Sequence, residues 1–218
     1  MNIKRSCGVL LPVFSLPSEH GIGTFGKAAY DFIDFLADAG QSWWQMLPVG
    51  PSGSGDSPYQ SFSSFAGNEF FIDLDLLAAD GLLTKSEVES VSWGENNGRV
   101  DYEIMRSERG RLLKLAAERG MGRDSKKLDG FITENASWLP DYALYMALKE
   151  HFGMAAWMRW DEPIRMREPE AVAKYTALLA DDIRYFEYVQ YLFYTQFAAL
   201  RAYAHEKGIG LKGDMPIY

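Results

Sequence analysis

The sequence predicts an α/β fold built around a parallel sheet. Three observations carry this prediction: short, nearly continuous apolar runs bounded by Gly or Pro at residues 7–13, 42–49 and 210–218, a helical apolar stripe between the first two, and a long amphipathic stretch leading into the third. Runs without polar alternation suit parallel strands covered on both faces.

The first run, "CGVLLPV", follows Lys4 and Arg5 and superficially resembles the start of a secretory signal. Pro12 interrupts it and no small-x-small cleavage site follows, so a buried strand is the preferred reading. In "FGKAAYDFIDFLADAG", Phe25, Ala29, Phe32 and Leu36 form one helical stripe, with Gly40 placed as its stop. "SWWQMLPV" is the second strand, and its neighbours Trp43 and Trp44 must point to opposite faces. Right-handed crossover makes these two strands parallel neighbours.

Residues 1–77 thus hold two strands and a long loop. Residues 78–181 turn helical and charged, opening on Thr84 and Glu87 in capping-box spacing, and read as a helical insertion. Residues 182–218 hold a long helix, with Phe186, Val189, Phe193, Phe197 and Leu200 at steps of three and four, ended by Gly208, and then the third strand.

Composition narrows the function classes. Lys and Arg total 22 against 30 Asp and Glu, a net charge of −8, the wrong sign for a protein that binds nucleic acid by neutralising phosphates. Cys7 is the only cysteine, and His20, His151 and His205 lie far apart, so neither a disulfide framework nor a Cys/His metal cluster is expected. No apolar run approaches the ~18 residues of a membrane span. A cytoplasmic protein acting on a neutral small molecule or glycan is the expectation.

"GIGTFG" matches G-x-G-x-x-G through Gly21, Gly23 and Gly26. In the dinucleotide fingerprint the glycines follow the strand directly, whereas "FSLPSEH" intervenes here, and the second strand ends in "LPVGP" without an acidic residue for a ribose. No cofactor is expected. The loop "GPSGSGDSPYQSFSSFAGNEFF" lies at the carboxyl end of a parallel strand, where α/β folds put their ligands. Asp56, Ser57, Tyr59, Gln60 and Ser61 offer the hydroxyl, amide and carboxylate groups beside an aromatic face that sugars need; a plain surface loop with Tyr59 packed on the body is the competing reading. Asp214, an acid in an apolar strand, is either an active-site group or a carboxylate bonded to a neighbouring strand.

Four stretches, "GVLLPVFSLPSEHGIGTFG", "SWWQMLPVGPSGSGDSPYQSFSSFAGNEFFIDLDLL", "WLPDYALYMALKEHFG" and "ALRAYAHEKGIGLKGDMPIY", together resemble the amylomaltases, the disproportionating 4-α-glucanotransferases of the α-amylase clan. The resemblance implies a (β/α)8 barrel, here about its first three strands with a helical insertion between strands 2 and 3. It also implies retaining transfer of α-1,4-glucan segments to an acceptor 4-hydroxyl through a glycosyl enzyme. Carried over by position, Ser57 and Tyr59 touch the glucan, with Asp56 and Gln60 beside them. Asp214 matches the acid that ends the third strand and orders the charged network without being the nucleophile. Tyr102, in "VDYE", matches an aromatic of a secondary glucan site.

The family's nucleophile motif, R-x-D-H-F, and its acid/base motif, E-D-L-G, are absent from this sequence. A complete barrel takes about 250 residues. No catalytic residue is therefore assigned within the chain, and the pair is expected after Tyr218. The chain alone is expected to be inactive; a glycan-binding or complementing module that pairs with the remainder of the barrel is the alternative. A third reading makes Asp56 and Asp214 a catalytic pair, which retaining chemistry would hold about 5–5.5 Å apart.

Overall fold

The computed structural model describes residues 5–53, 55–94 and 98–215. Lys4 and the last three residues of the expected third strand lie outside the described residues. The chain divides into two compact units, residues 1–119 with 192–218, and residues 120–191. The sequence reading put its changeovers at 78 and 181. Residues 78–119 group with the sheet, and Arg109 bonds back across that boundary to the carbonyls of His20 and Ile72.

In the first unit β1 (Gly8–Leu10), β2 (Trp43–Gln45) and β3 (Gly210–Lys212) form a parallel sheet in the order β1-β2-β3. Trp43 lies opposite both Gly8 and Gly210. Each strand is three residues long, shorter than the apolar runs that announced them. Leu11 N still donates to Gln45 O at 3.0 Å, but Pro12 has no N–H to continue the ladder, and the chain turns at Val13–Ser15. On β2 the last rung is Met46 N to Lys212 O at 2.9 Å, two residues before Pro48.

The helix between β1 and β2, α1 (Lys27–Asp38), buries Ala29, Ile33 and Leu36, and the left-handed Gly40 (φ 68°) ends it. It covers one face of the sheet. Trp44 is fully buried there, edge-on to Phe32 at 5.0 Å, with its indole N–H donating to Leu11 O at 2.8 Å. Trp43 points the other way and is 45% exposed, as is Leu10 at 53%. The expectation of two covered faces therefore holds on one face only among the described residues. A Cβ on Gly210 would sit 2.3 Å from the Trp43 ring, so glycine is what lets that ring lie across β3.

The glycines of "GIGTFG" have structural work. Gly21 takes φ 81°, a Cβ on Gly23 would come 2.0 Å from Val13 O, and one on Gly26 would meet the Asp73 carboxylate at 1.9 Å. Asp73 caps α2 (Leu74–Ala79) by accepting from Leu76 N, and also accepts from the Thr24 hydroxyl at 2.6 Å. Its own amide donates to Gln196 Oε1 at 2.7 Å. The motif therefore brings the start of α1 against the start of α2.

Next come α3 (Lys85–Glu89), opened by the expected Thr84/Glu87 capping box, and α4 (Tyr102–Ile104), capped by Asp101. A π-helical turn, Met105–Arg109, leads from α4 into α5 (Gly110–Arg123). The second unit contains α6 (Ser125–Glu134), α7 (Leu139–His151), α8 (Glu162–Arg165) and α9 (Pro169–Leu178). In it the Tyr188 hydroxyl donates to Asp124 Oδ2 at 2.8 Å.

The long helix α10 (Ala180–Glu206) carries the expected stripe, with Phe186, Val189, Phe193 and Leu200 buried. In the first unit, Phe193 and Phe197 each pack on Phe25 at 5.2 Å. Tyr203 donates to both oxygens of Asp34, at 2.8 and 2.9 Å, and Lys207 Nζ lies 2.7 Å from Asp34 Oδ1. These bonds fasten the end of α10 to α1, and after Gly208 (φ 76°) the chain enters β3 alongside β2.

Candidate functional site

The loop after β2 folds on itself before it meets anything else. Gly53 N donates to Gln60 O at 2.7 Å, Gln60 N to Ser57 O at 3.1 Å, and Tyr59 N to the Ser57 hydroxyl oxygen at 3.3 Å. Gly55 (φ 81°) and Asp56 (φ 56°) both adopt the left-handed conformation, which glycine accepts freely and aspartate tolerates. Farther along, the Ser61 hydroxyl donates to Ser63 O at 2.7 Å, and Ala66 N donates to the Ser63 hydroxyl oxygen at 3.0 Å. A Cβ on Gly67 would lie 2.2 Å from the Phe193 ring, so the loop returns hard against α10.

Two branches leave this loop. On one, the Tyr59 hydroxyl donates to Asp214 Oδ2 at 2.8 Å, just past the end of β3. Asp214 Oδ1 accepts from Met215 N at 3.0 Å, so both carboxylate oxygens are engaged. The bond to Asp214, with burial and that carboxylate's charge adding to it, pushes the Tyr59 phenol above its usual range. Asp214 also borders a cavity of about 190 Å³ whose walls include Val49, Ser61, Phe65 and Tyr194. This joins the carboxyl ends of β2 and β3 at one place.

On the other branch, Asp56 is ion-paired through Oδ1 to Arg106 Nη2 in the π-helical turn. The Arg106 guanidinium lies over the Tyr102 ring, 5.9 Å from its centroid. Tyr102 in turn packs on Phe70 with centroids 6.2 Å apart, and borders a cleft of about 680 Å³ together with Leu16 and Trp93. Burial raises the Tyr102 phenol, the Asp56 carboxylate raises it further, and Arg106 works in the opposite direction.

The structure thus brings Tyr59 to Asp214, and Asp56 to Tyr102 by way of Arg106. Ser57 holds the turn with its hydroxyl oxygen, and Gln60 is exposed at the loop surface. Asp56 and Asp214 take different partners, which leaves the paired-carboxylate reading without a shared contact. Among the described residues no three or more His, Cys, Asp or Glu side chains gather as a metal site, and no helix is long and apolar enough to cross a membrane.

Two residues escaped the sequence reading. Arg106 follows Tyr102 by four positions, the spacing that stacks side chains on one helix face, and that signal was available. Arg109 is fully buried and donates to the carbonyls of His20 at 3.4 Å and Ile72 at 2.5 Å. Burial lowers its pKa to about 10. Nothing local in the sequence signals its burial.

The 4-alpha-glucanotransferase of Streptococcus pneumoniae is 46% identical over 217 residues, covering 99% of this chain and 43% of that protein. That of Clostridium butyricum is 43% identical over 206 residues, covering 94% and 42%. The chain therefore spans less than half the length of these relatives. Among solved structures, the amylomaltase from Streptococcus agalactiae in complex with acarbose superposes with a TM-score of 0.95 at 44% identity, over 99% of this chain and 44% of that one. The amylomaltase from Corynebacterium glutamicum, at 17% identity and a TM-score of 0.68, shares the fold. The family model for 4-alpha-glucanotransferase matches residues 11–218, and the chain belongs to the 4-alpha-glucanotransferase family.

Proposed function

We propose that this chain supplies the donor- and acceptor-binding part of a retaining 4-α-glucanotransferase. Its sheet is the first three strands of a (β/α)8 barrel. Among the described residues β1 and β3 each pair on one side only, and the exposed Trp43 face is the barrel interior that further strands enclose. The nucleophile and acid/base belong to the portion of the family's length that this chain does not span.

The observation that carries this reading is the hydrogen bond from Tyr59 to Asp214. It joins the loop of one parallel strand to the end of the next, at the carboxyl edge where barrel enzymes bind substrate. Because its proton is given to Asp214, the Tyr59 oxygen is left to accept from a sugar hydroxyl, while its ring offers an apolar face to the pyranose. Ser57 and Gln60 add a hydroxyl and an amide at the same turn. Asp214 holds Tyr59 in this role and contributes negative charge near the reacting sugar. Transfer in preference to hydrolysis requires that an acceptor sugar displace water, and a tyrosine-lined loop favours that.

Titration with maltoheptaose, followed by calorimetry, tests the binding assignment. Saturable binding is expected, weakened in Tyr59→Phe. A folded chain that shows no binding removes the assignment. Incubation with maltotriose tests the division of labour: the chain alone should produce neither glucose nor longer oligosaccharides, and their appearance would place the catalytic pair within it.

A further inference from the structure

We infer that Arg106 is a positioning residue for the glucan loop, tying the turn that carries Ser57 and Tyr59 to the helix that carries Tyr102. The inference rests on the glucan-binding reading above and adds a residue to it. Asp56 accordingly serves as the loop's anchor and not as a sugar ligand.

Three observations point this way. The Asp56–Arg106 pair links the turn after β2 to the π-helical turn between α4 and α5, and it bridges 50 positions of sequence. Asp56 sits in the left-handed region next to the left-handed Gly55, so the residue that takes the ion pair is also the non-glycine residue of the turn in a costly backbone conformation. Arg106 itself occupies a π-helical turn, a widened turn that re-aims side chains and recurs at functional sites. From there its guanidinium reaches Asp56 while covering the Tyr102 ring at 5.9 Å. One planar cation thus fixes both the loop and an aromatic face beside it, which a lysine's point charge does less well.

The energetics favour positioning over stability. The Arg106 side chain is 51% exposed and that of Asp56 21%. An exposed pair of this kind contributes little to folding, so its loss should shift the unfolding midpoint by only about 2–4 °C or less. Its effect is instead expected where the turn must be held still for a ligand.

Two measurements on the chain test this. In maltoheptaose titrations, Arg106→Ala and Asp56→Asn should each weaken binding about five-fold, the double variant should be no weaker than either single one, and Arg106→Lys should recover part of the loss. Hydrogen exchange should show faster exchange at the amides of Tyr59 and Gln60 in Arg106→Ala, and no change in Arg111→Ala, whose partner Glu108 lies three residues before it and not in the loop. Wild-type affinity in Arg106→Ala, or unchanged exchange at those amides, overturns the inference. Absence of maltoheptaose binding by the parent chain instead overturns the glucan reading, and the exchange experiment still decides whether Arg106 holds the loop.

Discussion

The Tyr59 hydroxyl and the Asp214 carboxylate lie 2.8 Å apart although 155 positions separate them in sequence. The βαβ crossover and α10 bring them together. Tyr59→Phe removes the only donor that Tyr59 offers Asp214 and leaves the ring. Because both residues are only half-buried, the fold should hold, and maltoheptaose affinity should fall by a factor of about five to ten. Calorimetric titration of the two proteins checks this.

The same bond fixes a pH dependence. Tyr59 is raised in the folded chain, first by its bond to Asp214, so the stabilisation it confers is fully present below the ordinary tyrosine range. It is lost as pH rises from that range through the raised value. Alkaline titration followed by tyrosinate absorbance should show Tyr59 among several late-ionising tyrosines, and Asp214→Asn should bring the ionisation of one of them back toward the ordinary range.

Glu87 gives the opposite sign. Bonds from Arg119 and from the Thr84 backbone lower its pKa to about 2. Its contribution is therefore present above the unfolded carboxylate value and is lost as pH falls through about 2. In Glu87→Gln the acid limb of the stability curve should be flatter, as measured by urea unfolding at a series of pH values.

Arg109 tests the interior. Arg109→Met retains the apolar length of the side chain but strips the donors from His20 O and Ile72 O, leaving two buried carbonyls unpaired. A loss of roughly 2–4 kcal/mol is expected in urea unfolding.

Gly67→Ala tests the return of the loop. The added methyl would meet the Phe193 ring at 2.2 Å, and the loop or α10 must shift to admit it. Destabilisation of about 1–3 kcal/mol should accompany weaker maltoheptaose binding.

Features that span a few residues were legible in the sequence. The capping box at Thr84 and Glu87, the stops at Gly40 and Gly208 and the buried stripe of α10 all appear where spacing put them. Strand ends were less legible: the apolar runs extend over seven to nine residues, whereas each ladder holds only three-residue strands. Tyr59 and Asp214 stood out as candidates, but their contact did not. The link from Asp56 to Arg106 was invisible, since each side chain alone looks like an ordinary surface charge.

By itself the sequence determined α1, the start of α3, the long helix α10, the parallel crossover of β1 and β2 and the family, because periodicity, caps and motifs are read over short distances. Only the tertiary structure decided which face of the sheet is covered and which partners Asp56 and Asp214 take. Those choices depend on where α1 and α10 set the strand ends and loops in space, and chain spacing carries no measure of that distance.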